Sequence, residues 1–347
     1  MNANLAFRLV VLGLLLMTGI SAAQDRSQGR SMIVTKQGIV ASESPLASQA
    51  GAMILAKGGN AIDAAITANS VMGVVAPMMC GAGGDLFAIV YEAKTGKLYG
   101  LNSSGWAPAG NTLEFIQSKG YTTNMPQNGI HSVTVPGAVE GWDQLRRKFG
   151  RKKFSDLLAP AIDYAENGFP VSEWVSLHWA ASVNAIRRYA NTAHTYLPGD
   201  RAPKLGEVFR NPELAWSYRQ IAAKGKDAFY NGPIGERIVK TAQSLGGTMT
   251  MRDLQQFSAE WVEPISTTYR GWTVYEIPPN GQGIAALVML NLMENFPLTD
   301  YGQNSPRALH AMIESKKLAY ADMLRFVADQ RFSKVPVKGM LSKEYAR

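Results

Sequence analysis

Hydrophobic and polar positions change rhythm several times along this chain, and each change marks an element. After a β-leaning stretch from Met32 to Ala41, Ser44-Pro45 predicts a helix start, with Ser44 as cap and Pro45 at the first helical position. Leu46 to Lys57 and Ala61 to Val75 are dense in Ala and other small or apolar residues. Between them Gly58-Gly59-Asn60 is a turn whose glycines can take positive φ, so a buried helical hairpin is predicted. Pro77 to Asp85 is a glycine-rich loop, after which Leu86 to Glu92 and Leu98 to Leu101 flank Lys94-Thr95-Gly96-Lys97 as a β-hairpin.

From about Ala138 to Lys240 the spacing predicts several amphipathic helices joined by breaks such as Asn167-Gly168-Phe169-Pro170. Thr268 to Ile277, with Tyr269, Trp272, Val274 and Tyr275, predicts a strand, and Pro278-Pro279-Asn280-Gly281 ends it before an apolar helix from Ile284 to Phe296. A last helix opens at Ser305-Pro306 and reaches about Ala328. There is no internal repeat and no linker-like stretch, so one continuous layered α+β domain is expected. The helix-rich middle argues against a solute-binding protein of two lobes with alternating βαβ units.

Residues 1–23 read as a leader rather than as part of the fold. Arg8 supplies a positive flank, Leu9 to Ile20 is apolar, and Ser21-Ala22-Ala23 places small side chains where a signal peptidase cuts. Export to the periplasm or beyond is expected, with cleavage near Ala23 and a mature region of 24–347. The apolar run is shorter than the roughly 20 residues of a spanning helix, so no stable membrane anchor is expected.

With 46% hydrophobic and 18% charged residues the chain is expected to fold around a core rather than stay disordered. Its formal charge of +8 is a mild bias. The densest basic cluster, Arg146-Arg147-Lys148 with Arg151-Lys152-Lys153, lacks interleaved aromatics and reads as a solvated helix end, so no nucleic-acid partner is expected. The single cysteine, Cys80, cannot form an internal disulfide and reads as a small packed residue. Gly81-Ala82-Gly83-Gly84-Asp85 resembles a phosphate cradle, but its order is helix, loop, strand, which denies it a helix N-terminus. The histidines, 131, 178, 194 and 310, are scattered without a His-Glu-x-x-His pair, and no Gly-x-Ser-x-Gly elbow occurs. No metal site, cofactor or local nucleophile is therefore expected, and Thr67, Thr95 and Thr122 read as ordinary residues.

A collinear series of segments carries more. Ala41-Ser42-Glu43-Ser44-Pro45-Leu46-Ala47-Ser48-Gln49-Ala50-Gly51, followed by Gly58-Gly59-Asn60-Ala61-Ile62-Asp63-Ala64-Ala65, resembles the opening of the large subunit of the γ-glutamyltransferase (γ-glutamyltranspeptidase) family. Val74-Val75-Ala76-Pro77, Gly81 to Asp85, Val135 to Gly141, Gly168 to Val171, Asp227 to Tyr230, Tyr269 to Gly271, Pro278-Pro279 and Leu341 to Tyr345 continue the resemblance in order. It covers the chain from about Met32 to Arg347.

The resemblance implies an N-terminal-nucleophile hydrolase fold, an αββα sandwich, incomplete here because the small-subunit strands are missing. It implies a precursor that cuts itself into two subunits and so exposes a Thr, whose hydroxyl has a base built in through its own α-amine. The nucleophile is expected beyond Arg347, so no catalytic residue is expected on this chain. The implied partner is the small subunit of the same precursor, and the implied substrate a small γ-glutamyl or related amide such as glutathione. Alone, the chain is expected to be inactive and to expose strand edges prone to association. A noncatalytic truncated product or scaffold is the alternative. Where the family typically places an Arg for the donor's α-carboxylate, Leu101-Asn102-Ser103-Ser104-Gly105-Trp106 puts Ser104, a neutral donor in place of a charged fork. Ser104 is thus the substrate-binding candidate, and the resemblance leans toward the γ-glutamyltransferase-like branch that includes acylases acting on other amides. Trp106 is the second candidate, as an acyl contact or, alternatively, as core.

Overall fold

In the hairpin of α1 (Pro45–Ala56) and α2 (Ala61–Val75) the helices approach through small residues. A Cβ on Gly51 would stand 2.8 Å from Val40 Cγ1 and 2.9 Å from the Ala64 carbonyl, so glycine is what permits the approach. Helix α2 is apolar on nearly all sides and is buried along most of its length. Pro45 takes the first position as predicted, but the Ser44 side chain makes no capping bond; Ser42 Oγ instead donates to the Ser44 carbonyl at 2.8 Å.

This computed structural model describes residues 32–347, so the expected leader, 1–23, lies outside the described residues. The chain divides into two units, up to Ile39 and Val40–Arg347, and all regular structure among the described residues belongs to the second. The β-leaning stretch Met32 to Ala41 forms no strand. Propensity alone does not make one without a ladder, and Gly38 at φ 118° breaks the extended run.

The predicted β-hairpin is present as β1 (Leu86–Glu92) and β2 (Lys97–Ser103), two residues longer at its end than the sequence pattern suggests. A helical layer follows: α3 (Leu113–Ser118), α4 (Ala138–Phe149), α5 (Phe154–Asn167), α6 (Glu173–Ile186), α7 (Ala190–Tyr196), α8 (Pro212–Lys224), α9 (Asp227–Tyr230), α10 (Pro233–Ser244) and α11 (Met251–Gln256). A two-residue ribbon, β3 (Phe169–Pro170) with β4 (Val208–Phe209), ties this layer together. Strand β5 (Glu260–Val262) then joins β2, giving an antiparallel sheet ordered β1-β2-β5.

Large side chains of this region share one core with α1 and α2, and their polar ends are satisfied inside it. Trp142 Nε1 donates to Asn69 Oδ1 at 2.8 Å, and Tyr218 Oη donates to the Ser70 carbonyl at 3.1 Å. Asn60 caps α2, accepting from Ile62 N at 3.0 Å and Asp63 N at 3.1 Å, while Asp63 accepts from Asn60 N at 2.9 Å. The fully buried Asp63 also accepts from Arg151 N at 3.0 Å and Lys152 N at 3.2 Å, which fastens α2 to the link between α4 and α5.

The stretch read as one strand from Thr268 to Ile277 is instead a hairpin, β6 (Ile265–Tyr269) with β7 (Trp272–Glu276). Arg270 and Gly271 at its tip both have positive φ, 48° and 86°, the geometry whose twist matches paired antiparallel strands. Helices α12 (Gly283–Met293), α13 (Leu298–Tyr301), α14 (Pro306–Phe326) and α15 (Val337–Met340) complete the chain. Ile284 and Val288 of α12 meet Ala319 of α14, Val335 and Met340 in a second, smaller core. Among the described residues no helix is long and apolar enough to cross a membrane.

One side of the sheet stays uncovered among the described residues. Strand β1 pairs only with β2, and its alternate residues Phe87, Ile89 and Tyr91 are exposed. The helix α14 likewise exposes Leu309, Ile313 and Leu324.

Candidate active-site niche

At the end of β2 the backbone is pressed against the segment that opens α4. The buried Ser103 donates from Oγ to the Gly137 carbonyl at 2.7 Å, and Val135 N donates to the Trp106 carbonyl at 2.8 Å. Gly105, at φ 85°, would place a Cβ 2.0 Å from the Val135 carbonyl oxygen, so no other residue fits there. The Gly84 carbonyl accepts the N–H groups of Gly137 at 2.8 Å and Ala138 at 2.9 Å. The glycine loop Gly81 to Asp85 thus meets the start of α4 with a carbonyl oxygen, in keeping with a structural turn and not with a phosphate cradle.

This joint carries Ser104 to a mouth where neutral polar groups converge. Ser104 N donates to Asn102 Oδ1 at 3.1 Å, Ser104 Oγ accepts from Asn280 Nδ2 at 3.0 Å, and Asn102 Nδ2 donates to Asn280 Oδ1 at 2.8 Å. Asn280 comes from the Pro-Pro-Asn-Gly break between β7 and α12.

Trp106 is both core and wall. It meets Phe257 edge-on at 5.4 Å, and the guanidinium of Arg331 lies over its ring at 4.6 Å. Arg331 Nε donates to Asp329 Oδ1 at 3.0 Å and Oδ2 at 3.1 Å, and Nη2 completes a forked pair with Oδ2. The hydrogen bonds from Arg331 hold the Asp329 carboxyl below its usual range, and Asp329 in turn raises Arg331, so both stay charged. Gln330 Nε2 donates to the Pro279 carbonyl at 2.8 Å, which ties this loop to the one carrying Asn280.

Asn102, Ser104, Trp106, Asn280, Asp329 and Arg331 line a niche of about 70 Å3. Ser104, Gly105 and Asn280 also border a cleft of about 970 Å3, whose apolar walls include Phe87, Met289, Tyr320 and Leu324. The Ser104–Asn280 bond therefore separates a polar niche from a larger, more apolar cleft. Both sequence candidates, Ser104 and Trp106, are brought together here. Asn280 was visible only as part of the Pro278-Pro279-Asn280-Gly281 break, and Asp329 and Arg331 had no local signature that could have marked them.

The remaining features fall elsewhere. Burial pushes the Cys80 thiol up, with a smaller push from Glu43, as befits a packed cysteine. His131 lies edge-on to Phe115 at 5.6 Å and to Tyr121 at 6.2 Å, and His178 packs on Trp174 at 4.2 Å. Among the described residues no three His, Cys, Asp or Glu side chains gather as a metal site would require. The basic cluster departs from the sequence reading: Lys148 Nζ sits 4.0 Å from the Trp261 ring centre and 4.4 Å from that of Tyr99, so the sheet supplies aromatics that are not interleaved in sequence.

Comparison with known proteins completes the picture. Residues 47–347 match the sequence profile of the family described as Gamma-glutamyltranspeptidase. The Glutathione hydrolase-like YwrD proenzyme of Bacillus subtilis (strain 168) is 39% identical over 319 residues, which are 92% of this chain and 60% of that protein. Among solved structures, the γ-glutamyltranspeptidase of Helicobacter pylori superposes with a TM-score of 0.85 at 31% identity, covering 91% of this chain and 92% of that one. The cephalosporin acylase from Bacillus halodurans does so with a TM-score of 0.83 at 39% identity, covering 92% of this chain and 61% of that one. The chain thus spans 60% of the length of the Bacillus subtilis relative.

Proposed function

Since the chain belongs to the γ-glutamyltranspeptidase family and shares the N-terminal-nucleophile hydrolase fold of its solved neighbours, we propose that it is the large-subunit part of an enzyme that cleaves γ-glutamyl or related amide bonds. The nucleophile in this reading is the hydroxyl of a Thr freed at the N-terminus of a second segment of the same precursor, with its α-amine as base. The acyl group passes to that hydroxyl and then to water or an acceptor amine.

The observation that carries the reading is the position of the niche beside an unfinished sheet. Among the described residues strand β1 has a free edge, and Phe87, on its exposed face, is also a wall of the cleft that Ser104 borders. Strands supplied by the rest of the precursor would pair at that edge and bring a nucleophile to the cleft. Acyl donors other than γ-glutamyl belong to the same reading, because Ser104 offers a neutral hydroxyl. In this reading residues 1–23 are a leader removed near Ala23, and the enzyme works in the periplasm or outside the cell.

Expression of the full reading frame tests this. The expected result is two polypeptides, the smaller starting with Thr, with turnover of a γ-glutamyl or other acyl 4-nitroanilide. A single uncut polypeptide without turnover would instead support a noncatalytic scaffold.

A further inference from the structure

We propose that Arg331 determines specificity: its guanidinium, laid on Trp106 and braced by Asp329, receives the terminal carboxylate of the acyl donor in the niche behind Ser104. The proposal rests on the amide-cleaving reading above and adds the group by which the donor is chosen.

Among the described residues that line the niche, Arg331 is the one cation. Ser104 cannot replace it: its Oγ already accepts from Asn280, which leaves a single neutral proton to offer. Asp329 occupies Nε and Nη2 of Arg331, while Nη1 has no protein partner among the described residues. The Trp106 ring 4.6 Å from the guanidinium carbon and the forked pair with Asp329 hold the side chain from two directions, so it has less freedom left to lose on taking a ligand. The Gln330–Pro279 bond couples the Arg331 loop to the Asn280 loop, so the charge and the amide that would flank a carboxylate are held as one unit.

Size and charge narrow the ligand. The niche, at about 70 Å3, is far smaller than the neighbouring cleft of about 970 Å3 and is bordered by polar groups, so it suits a compact charged head such as a carboxylate. The rest of the donor must then run past the Ser104–Asn280 bond into the larger cleft. Asp329 and Glu260 border the niche, so an ammonium beside the carboxylate finds acids within the same walls. A γ-glutamyl end carries both groups and a glutaryl end the carboxylate alone, and Arg331 serves either.

The test uses the protein made from the full reading frame, as wild type, Arg331→Met and Arg331→Lys, against γ-glutamyl, glutaryl and butyryl 4-nitroanilides. In Arg331→Met the preference for the two carboxylated donors over butyryl should fall about 30-fold, mostly through KM, as for loss of a charged hydrogen-bonded contact. Arg331→Lys should lie between. Equal losses on all three donors would show a merely structural role, and an unchanged preference would remove Arg331 from recognition; either overturns the proposal. Titration of tryptophan fluorescence with glutarate, glutamate and butyrate separates the two readings. Arg331-dependent binding of glutarate or glutamate without cleavage of any anilide would sink the enzyme reading and sustain this one. Binding of neither carboxylate, or binding indifferent to Arg331, would overturn this one whatever the turnover.

Discussion

Gly137→Ala probes the joint that positions the niche. Gly137 has φ −103° and ψ −21°, which alanine adopts without strain, so the substitution tests space and nothing else. The new Cβ would stand 1.9 Å from the Ser103 carbonyl oxygen and 2.7 Å from its carbon, both backbone atoms. Real Cβ contacts stay beyond 3.0 Å, so the end of β2 and the start of α4 must part by about 1 Å. That movement strains the Ser103 hydroxyl's bond to the Gly137 carbonyl and the Gly137 N–H bond to Gly84. Two weakened bonds at about 1 kcal/mol each, with overpacking strain of similar size, give a loss of about 3 kcal/mol. Ser104 follows Ser103, and a misplacement of about 1 Å at a binding site costs on the order of 100-fold in turnover. In the protein made from the full reading frame, urea unfolding followed by tryptophan fluorescence and kcat/KM on an acyl anilide read the two effects. Gly58→Ala is the control: its φ of 82° makes alanine cost about 1 kcal/mol, yet nothing lies within 4 Å and the niche is untouched. A Gly137→Ala protein within about 0.5 kcal/mol of wild type would refute the packing argument. One that is destabilised but fully active would refute the link from joint to niche.

Two further outcomes follow from buried and half-buried carboxylates. Asp63→Ala leaves the N–H groups of Asn60, Arg151 and Lys152 without their acceptor and should cost about 3–4 kcal/mol in a denaturant melt, with Asp63→Asn at roughly half that; a loss under about 1 kcal/mol would mean that water replaces the carboxylate. For Asp253 partial burial pulls the carboxyl up, but hydrogen bonds from Ala109 N and from the Thr250 hydroxyl and N–H outweigh it and hold it below its usual range. A depressed folded-state value contributes stability above the unfolded value of about 3.9 that is lost as pH falls through the folded one, so the stability gap between wild type and Asp253→Asn should narrow from about pH 6 to pH 3. A gap constant over that range would show that the charge of Asp253 is not what the bonds hold.

Legibility of the fold in the sequence followed the range of the interaction responsible. The α1–α2 and β1–β2 hairpins were readable because Gly58-Gly59-Asn60 and Lys94-Thr95-Gly96-Lys97 are local turn chemistry. The β6–β7 hairpin was missed because its tip puts an arginine at positive φ, where Asn or Asp is the usual signal. Strand β5 is three residues defined entirely by its partner, β2. In the niche Ser104 and Trp106 were marked by resemblance, whereas Asn280 and Arg331 reach it only through long-range folding. The aromatics around Lys148 were hidden for the same reason, since Tyr99 and Trp261 come from separate strands.

The bond between Ser104 and Asn280 joins positions 176 residues apart. On a ribosome that separation becomes a delay: at typical synthesis rates Asn280 emerges roughly 10–35 s after Ser104. Throughout that interval the hydroxyl and the indole have no far wall to face, although the residues of the α1–α2 hairpin and of β1–β2 have already been made. Assembly of the niche thus waits for the later segment, and a chain ending before Asn280 would own most of the helical core and no place to seat a donor.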